Sequence, residues 1–260
     1  MKQGMSLLLA GLLLAACQAT SGVSFDSAEV RNGEPVRVRG LIFRPDGEGR
    51  HPAVVLLHTC GGILPHVETQ WPNYLVGLGY VEFSVDTLSP RGVSSCTQLP
   101  SGYYFSAQDA VGALDYLADL PIVDADRIAV MGFSMGAIGV NSYLANGYTR
   151  SAKGRRFRAA IALYGHCRNL VGTMDALPLL EITAQFDPVH GPSCVEAAKR
   201  MKNTEAVILP GAYHAFDQPQ IESLRPDPRG SMMIYDYEAT MAARKLTARF
   251  LAQHMSGKKE

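Results

Sequence analysis

The segment Gly132-Phe133-Ser134-Met135-Gly136 combines a serine with two glycines at the spacing of a nucleophilic turn. An apolar run, Ile128 to Met131, precedes it and further apolar residues follow it, which is the pattern of strand, sharp turn and helix. A serine on so tight a turn has a strained backbone, and only small residues two places away let strand and helix approach closely. The pattern therefore predicts Ser134 as a nucleophile for acyl transfer.

A serine hydroxyl is a poor nucleophile until a base removes its proton, so an acid and a histidine are expected after Ser134, in that order. Asp187 follows the apolar run 179–183, and His214 follows the run 207–209 and a Pro-Gly turn. We predict that these two residues are the partners of the serine. Asp217 stays open as a rival acid, although it lies on the same loop as the predicted base. The less well placed histidines are His51, His166, His190 and His254.

The segment His58-Thr59-Cys60-Gly61-Gly62 follows another apolar run and predicts half of an oxyanion hole. The oxyanion would rest on the N–H of Met135, at the start of the helix after the serine, and on that of Cys60 or Thr59. The alternative is that the two glycines only turn the chain. We expect no cofactor and no metal, because the chain lacks the C-x-x-C pair that would favour zinc on His58, Cys60 and His66.

Short apolar runs that stop at loops indicate the strands of a parallel sheet buried on both faces. They are residues 52–58, 81–86, 128–132, 159–164, 179–183 and 206–209. Segments of helical period alternate with them, at residues 106–120, 134–146, 194–203 and 235–253. Two extended segments before them flank Asn32-Gly33, a turn pair that favours a tight hairpin. We predict an α/β fold with a doubly wound, mostly parallel sheet and an antiparallel N-terminal strand or hairpin, whose ligands bind at the carboxyl ends of the strands.

The composition restricts the partners of the chain. It has 260 residues, with 24 Lys plus Arg against 24 Asp plus Glu. Such a length fits one α/β domain, and balanced charge offers no strong field that would attract nucleic acid. We therefore expect a small-molecule substrate and no nucleic-acid partner.

The N-terminal residues have the pattern of a secretory signal. Lys2 precedes an apolar run, residues 5–16, that is too short to span a bilayer. Leu14-Ala15-Ala16-Cys17 resembles the lipobox of bacterial lipoproteins, which implies cleavage before Cys17 and its lipidation; an ordinary signal with an incidental cysteine is the alternative. We expect a signal peptide at 1–16, a tether at 17–24 and a single domain at 25–260. The same resemblance implies, from Gln18 rather than Asp after the cysteine, an anchor in the outer membrane that faces the periplasm.

In combination, the motifs resemble the dienelactone hydrolase family, whose members have a single α/β-hydrolase domain. The resemblance covers about residues 35–251 and rests on HTCGG, on DTLSPRG at 86–92, on GFSMG and on the loops of Asp187 and His214. The best-known members carry cysteine where this chain has Ser134, and glutamate where it has Thr59. These differences favour general ester hydrolysis over thiol chemistry on dienelactone.

The resemblance also implies roles for residues around the site. Arg91 aligns with an arginine that binds a substrate carboxylate, and His58 is expected beside the substrate; an arginine that only ties down its own loop is the open alternative. Export would place four cysteines in an oxidising compartment, and the residues alone leave three pairings open. The family's strand order implies two disulfides beside the site, Cys60–Cys96 and Cys167–Cys194.

These observations predict a serine-dependent hydrolase of small carboxylic esters or lactones that forms an acyl-enzyme on Ser134. One alternative is a peptidase of the prolyl-oligopeptidase kind, which normally uses a further domain that we do not expect in 260 residues. The other is a non-catalytic envelope lipoprotein that retains the fold for binding.

Overall fold

The structure is a computed structural model that describes residues 21–99, 102–145, 150–168, 170, 177–187, 191–227 and 229–257. The predicted signal peptide and Cys17 lie outside the described residues. The first strand begins at Ser21, so residues 21–24, predicted as the end of a tether, belong to the sheet, where they pair with residues 39–42. Within the described residues, no helix is long and apolar enough to cross a membrane.

The main sheet has eight strands within the described residues. They are β1 (Ser21–Arg31), β2 (Glu34–Phe43), β3 (His51–Leu57), β4 (Val81–Asp86), β5 (Val123–Phe133), β6 (Ala159–Leu163), β7 (Leu179–Ala184) and β8 (Thr204–Leu209). Their order across the sheet is β1-β2-β4-β3-β5-β6-β7-β8, antiparallel from β1 to β4 and parallel elsewhere. Asn32 and Gly33 join β1 to β2 at φ of 53° and 86°, as their turn chemistry predicts.

Helices cover both faces of this sheet. They are α1 (Trp71–Gly77), α2 (Gly102–Ala118), α3 (Met135–Ala145), α4 (Gly191–Arg200) and α5 (Tyr237–His254). Val55 and Leu57 of β3 belong to the core that includes α2 and α3, whereas Val54 and Leu56 belong to the core that includes α1 and α5. Burial on both faces explains the near-continuous apolar run and confirms the doubly wound fold class.

Some elements differ from the sequence prediction. α1 is unpredicted; it is short, has Pro72 in its first turn and follows one π-helical turn, His66–Gln70. β5 begins at Val123, well before the predicted residue 128, because Val123 pairs with His51 ahead of an irregularity in the register. A separate hairpin after β8 consists of β9 (Arg225–Pro226) and β10 (Met232–Met233).

Candidate active site

Ser134 lies on the turn between β5 and α3. Its backbone is left-handed, with a φ of 49°, and its N–H donates to the carbonyl of Leu163 on β6 at 3.0 Å. A Cβ atom on Gly132 would lie 2.3 Å from the backbone of Gly136, and one on Gly136 would lie 2.2 Å from the carbonyl oxygen of Leu57. The two glycines are therefore required for strand and helix to meet, and the turn leaves the serine half-buried.

Ser134, His214 and Asp187 form a continuous hydrogen-bonded line. Ser134 Oγ is 3.0 Å from His214 Nε2, and His214 Nδ1 is 2.5 Å from Asp187 Oδ2. Both the acid and the histidine are buried. A carboxylate at Nδ1 favours the tautomer with its proton on that nitrogen, so that the Nε2 lone pair faces the serine hydroxyl. The arrangement can remove a proton from the serine and stabilise the resulting imidazolium.

The rival acid, Asp217, has other partners. Its Oδ2 accepts from Trp71 Nε1 at 2.7 Å, and its Oδ1 accepts from the Tyr164 hydroxyl at 2.6 Å. The Tyr164 ring packs edge-on against the His214 ring, with centroids 5.0 Å apart. Burial, together with Asp217, raises the pKa of Tyr164 well above its usual value, so its hydroxyl remains a donor. Asp217 therefore holds the Tyr164 ring that packs against His214. Asp187 is the acid that contacts His214 itself.

The oxyanion loop lies beside the start of α3. The Gly136 N–H donates to the His58 carbonyl at 3.1 Å, which ties the end of β3 to the first turn of the helix. The N–H groups of Met135 and Cys60 make no hydrogen bond within the described part of the chain. The bridge between Thr59 and Gly62 uses the Thr59 carbonyl, which accepts from the Gly62 N–H at 3.2 Å, and the Thr59 N–H likewise makes no hydrogen bond within these residues. Met135, together with Cys60 or Thr59, therefore offers free donors beside the serine.

The structure contradicts the predicted contact of His58 with substrate. The side chain is 1% exposed, and both ring nitrogens are in use. Nδ1 donates to the carbonyl of Thr59 at 2.6 Å, and Nε2 accepts from the N–H of Thr87 at 3.1 Å. Burial lowers the pKa of His58, which is consistent with a neutral ring in these roles. His58 is therefore a buried residue that connects the oxyanion loop at Thr59 to the loop after β4 at Thr87.

The structure also contradicts the predicted contact of Arg91 with substrate. Its side chain is 1% exposed. The guanidinium donates to the carboxylates of Glu29 and Asp109 and to the Thr87 carbonyl at 2.6–3.1 Å, which uses all five of its N–H donors. Burial raises the pKa of Asp109, and Arg91 opposes that rise. Arg91 ties the loop after β4 to β1 and α2, which is the alternative that the sequence left open.

Both implied disulfides are present. Cys60–Cys96 joins the oxyanion loop to the segment after β4, and the Cys96 N–H also donates to the Cys60 carbonyl at 3.0 Å. Within the described residues, Cys167, Glu181 and Cys194 form the group with the spacing of metal ligands. The two sulfurs are bonded to each other, so they are not thiolates and do not provide a metal site.

Two contacts of the site involve residues that the sequence analysis does not predict. The Ser231 hydroxyl donates to Asp187 Oδ1 at 3.3 Å, and the Met232 carbonyl accepts from the His214 N–H at 3.1 Å. No sequence motif predicts these contacts, because a motif is local and the Ser231 contact joins positions 44 residues apart. Their role becomes visible only when the hairpin after β8 is placed beside the acid and the histidine.

Comparisons with known proteins show what the chain is similar to. The model of the dienelactone hydrolase family matches residues 38–255. A relative from Bradyrhizobium sp., "Probable 2-oxo-3-(5-oxofuran-2-ylidene)propanoate lactonase", is 25% identical over 266 aligned positions, covering 93% of this chain and 99% of the relative. The uncharacterized protein YcjY of Escherichia coli (strain K12) is 27% identical over 173 positions, or 61% of this chain and 53% of that protein, so the match spans about half of its length.

Solved structures show the same fold. The crystal structure of the dienelactone hydrolase-like promiscuous phosphotriesterase P91 from metagenomic libraries has a TM-score of 0.68 to this chain at 20% identity. The match covers 92% of this chain and 100% of that one. A likeness at this level of identity establishes a shared architecture, and the chemistry must be argued from the site itself.

Proposed function

The chain belongs to the dienelactone hydrolase family, and from this premise we propose that it hydrolyses carboxylic esters or lactones of small molecules through an acyl-enzyme on Ser134. The observation that carries the proposal is the line from Ser134 Oγ through His214 to Asp187, with distances of 3.0 and 2.5 Å. Serine becomes nucleophilic only beside such a base. The free N–H groups of Met135 and Cys60 support it further, because acyl transfer develops negative charge that they can bind.

In the proposed mechanism, Ser134 Oγ attacks the carbonyl carbon while His214 Nε2 takes its proton. The negative carbonyl oxygen rests on the N–H of Met135 and on that of Cys60 or Thr59. Collapse of this intermediate breaks the carbon–oxygen bond, and the protonated histidine gives its proton to the leaving alkoxide. Water then attacks the acyl-enzyme with His214 again as the base, which releases the acid and restores the serine.

An ester or a lactone fits this chemistry equally well. With a lactone, the leaving alkoxide stays attached to the acyl chain, so one ring-opened hydroxy acid leaves the site after hydrolysis. The lactonase named among the relatives, which is 25% identical over nearly the full length, supports the inclusion of lactones. The serine at position 134 supports a general ester hydrolase.

The proposal includes a location. We propose that Cys17 is lipidated and anchors the hydrolase in the bacterial outer membrane, facing the periplasm. The lipobox-like segment supports this, as do two disulfides of the kind that persist in oxidising compartments. Fractionation of cells that express the full chain tests it, because recovery in the soluble periplasmic fraction would contradict the anchor.

The test of the activity is Ser134→Ala. We expect this variant to lose turnover of a chromogenic short-chain ester and labelling by a fluorophosphonate probe, with a nearly unchanged melting temperature. Ser223→Ala, a change at an exposed serine, is the matched control and should behave as wild type. Retained turnover in Ser134→Ala would refute the proposal, as would a wild-type chain that cleaves peptides and no esters. Absence of labelling in the wild type would favour a binding role.

A further inference from the structure

The carboxylate of Asp187 makes contacts at both of its oxygens. Oδ2 lies 2.5 Å from His214 Nδ1, and Oδ1 lies 3.3 Å from the hydroxyl oxygen of Ser231. A carboxylate only accepts hydrogen bonds, so the serine must donate. Ser231 is 2% exposed and Asp187 is 1% exposed, which keeps water from competing freely for this contact.

The same hairpin also holds the histidine. The His214 backbone N–H donates to the Met232 carbonyl at 3.1 Å, and His214 forms a β-bridge with Met233. Consecutive residues of one short segment therefore contact the acid through a side chain and the histidine through the backbone. A displacement of the segment would act on both at once.

The hairpin itself is fixed around Ser231. Asp227 Oδ1 accepts from the backbone N–H groups of Ser231 and Arg229, both at 2.8 Å, and the Asp227 N–H donates to the Ser231 carbonyl at 2.8 Å. On its other side, Arg229 Nη2 lies 3.2 Å from Cys96 Sγ, in the disulfide of the oxyanion loop. The hairpin therefore extends from the acid and the histidine to the oxyanion loop. Asp227 fixes the backbone of Ser231 at both its N–H and its carbonyl.

We propose that Ser231 is a positioning residue for the active site, and that the hairpin of β9 and β10 places its hydroxyl beside Asp187. The terminal torsion of an aspartate side chain is broad, so each hydrogen bond to the carboxylate helps to fix its orientation. A donor at Oδ1 restricts that rotation and keeps Oδ2 in front of His214 Nδ1. Ser231 does not touch the substrate and acts through Asp187. Its effect on turnover rests on the proposed function.

The first experiment measures turnover of a chromogenic short-chain ester by purified Ser231→Ala. Loss of one hydrogen bond that orients the acid is expected to lower kcat by about three- to tenfold. KM should stay within about twofold, because no contact with the substrate is lost. Ser223→Ala removes an exposed serine of the same stretch of chain and should change neither constant. A wild-type kcat in Ser231→Ala would overturn the inference, as would a rise in KM alone.

The second experiment is independent of turnover. The proton between His214 Nδ1 and Asp187 Oδ2 is followed by its low-field NMR resonance, which we expect to shift and to exchange faster with water in Ser231→Ala but not in Ser223→Ala. If the wild type hydrolyses no ester and this resonance still responds, the proposed function fails and the positioning role stands. If the wild type hydrolyses esters and neither kcat nor the resonance responds, the positioning role fails and the proposed function stands.

Discussion

Ser134 holds a φ of 49° in a turn where its neighbours two positions away have no side chain. Such a conformation is unfavourable for a serine and persists only where the surroundings enforce it. Its N–H is held by Leu163, and its carbonyl accepts from Ile138 in the first turn of α3 at 2.9 Å. At the residue scale, the nucleophile thus depends on backbone contacts that a methyl group added at Gly132 or Gly136 would disturb.

Gly136→Ala tests this dependence. The added Cβ would lie 2.2 Å from the Leu57 carbonyl oxygen, a backbone atom that cannot rotate away. Overpacking of this kind is expected to destabilise the protein by about 1–3 kcal/mol and to lower ester turnover. Gly77→Ala is the control, because nothing lies within 4 Å of a Cβ there and alanine favours the helix. Equal melting temperatures for Gly136→Ala and wild type would contradict the argument.

The sequence correctly predicts which residues lie together where each of them follows a local pattern. Ser134, Asp187 and His214 each follow a strand that its apolar run identifies, and the structure brings the three together. The partners of Arg91 could not be predicted in this way, because Glu29 and Asp109 lie 62 and 18 residues away and carry no motif. Family resemblance assigned this arginine to substrate, whereas its environment assigns it to an internal ion-pair network.

At the scale of elements, prediction succeeds where burial on two faces produces a continuous apolar run. β3, β4 and β7 begin and end within one residue of their predicted bounds. It fails for α1, whose few residues contain Pro72 and cannot display a full helical period. It also fails for the hairpin of β9 and β10, because two-residue strands leave no alternation to detect.

The oxyanion loop is an element fixed by a covalent bond as well as by hydrogen bonds. We predict that replacing Cys60 and Cys96 together by serine lowers kcat by about tenfold with little change in KM, because the loop that carries the N–H of residue 60 loses its tie. The double serine variant of Cys167 and Cys194 is the control, since that disulfide closes a loop of similar length, 27 against 36 residues. We expect it to melt at a lower temperature with kcat unchanged.

Steady-state kinetics on the two double variants decides between the roles. A loss of kcat in both would mean that the disulfides act through general stability. A loss in neither would mean that hydrogen bonds alone hold the oxyanion loop, such as that from the Cys96 position to the Cys60 carbonyl. Only a loss confined to the Cys60 and Cys96 variant agrees with a loop that is held for transition-state stabilisation.

At the scale of the whole molecule, the fold buries ionisable groups that take no part in the site. Burial raises the pKa of Glu82 and of Glu181 well above the usual value, and it lowers the pKa of His66 to about 4. Such groups couple stability to pH with opposite signs. The buried carboxyls weaken the fold as pH rises, because the unfolded chain loses their protons first. The histidine weakens it as pH falls from about 6.5 to 4, because only the unfolded chain takes up that proton.

Glu181 allows the carboxyl contribution to be isolated. It is fully buried on β7, and burial raises the pKa of its carboxyl although the side chain of Asn141 opposes that rise. Above about pH 4.5 the unfolded chain releases the proton of this carboxyl while the folded chain keeps it, so stability declines with rising pH up to the raised pKa. Glu181→Gln has no such proton to lose.

We therefore expect Glu181→Gln to melt several degrees above wild type at about pH 8, with the difference closing towards about pH 4.5. Thermal melts across this range measure it. Glu196→Gln, at an exposed position on α4, is the control and should change the melting temperature little at any pH, because a surface ion pair with Lys199 contributes little. A difference between Glu181→Gln and wild type that stays constant with pH would mean that the carboxyl is not protonated in the fold.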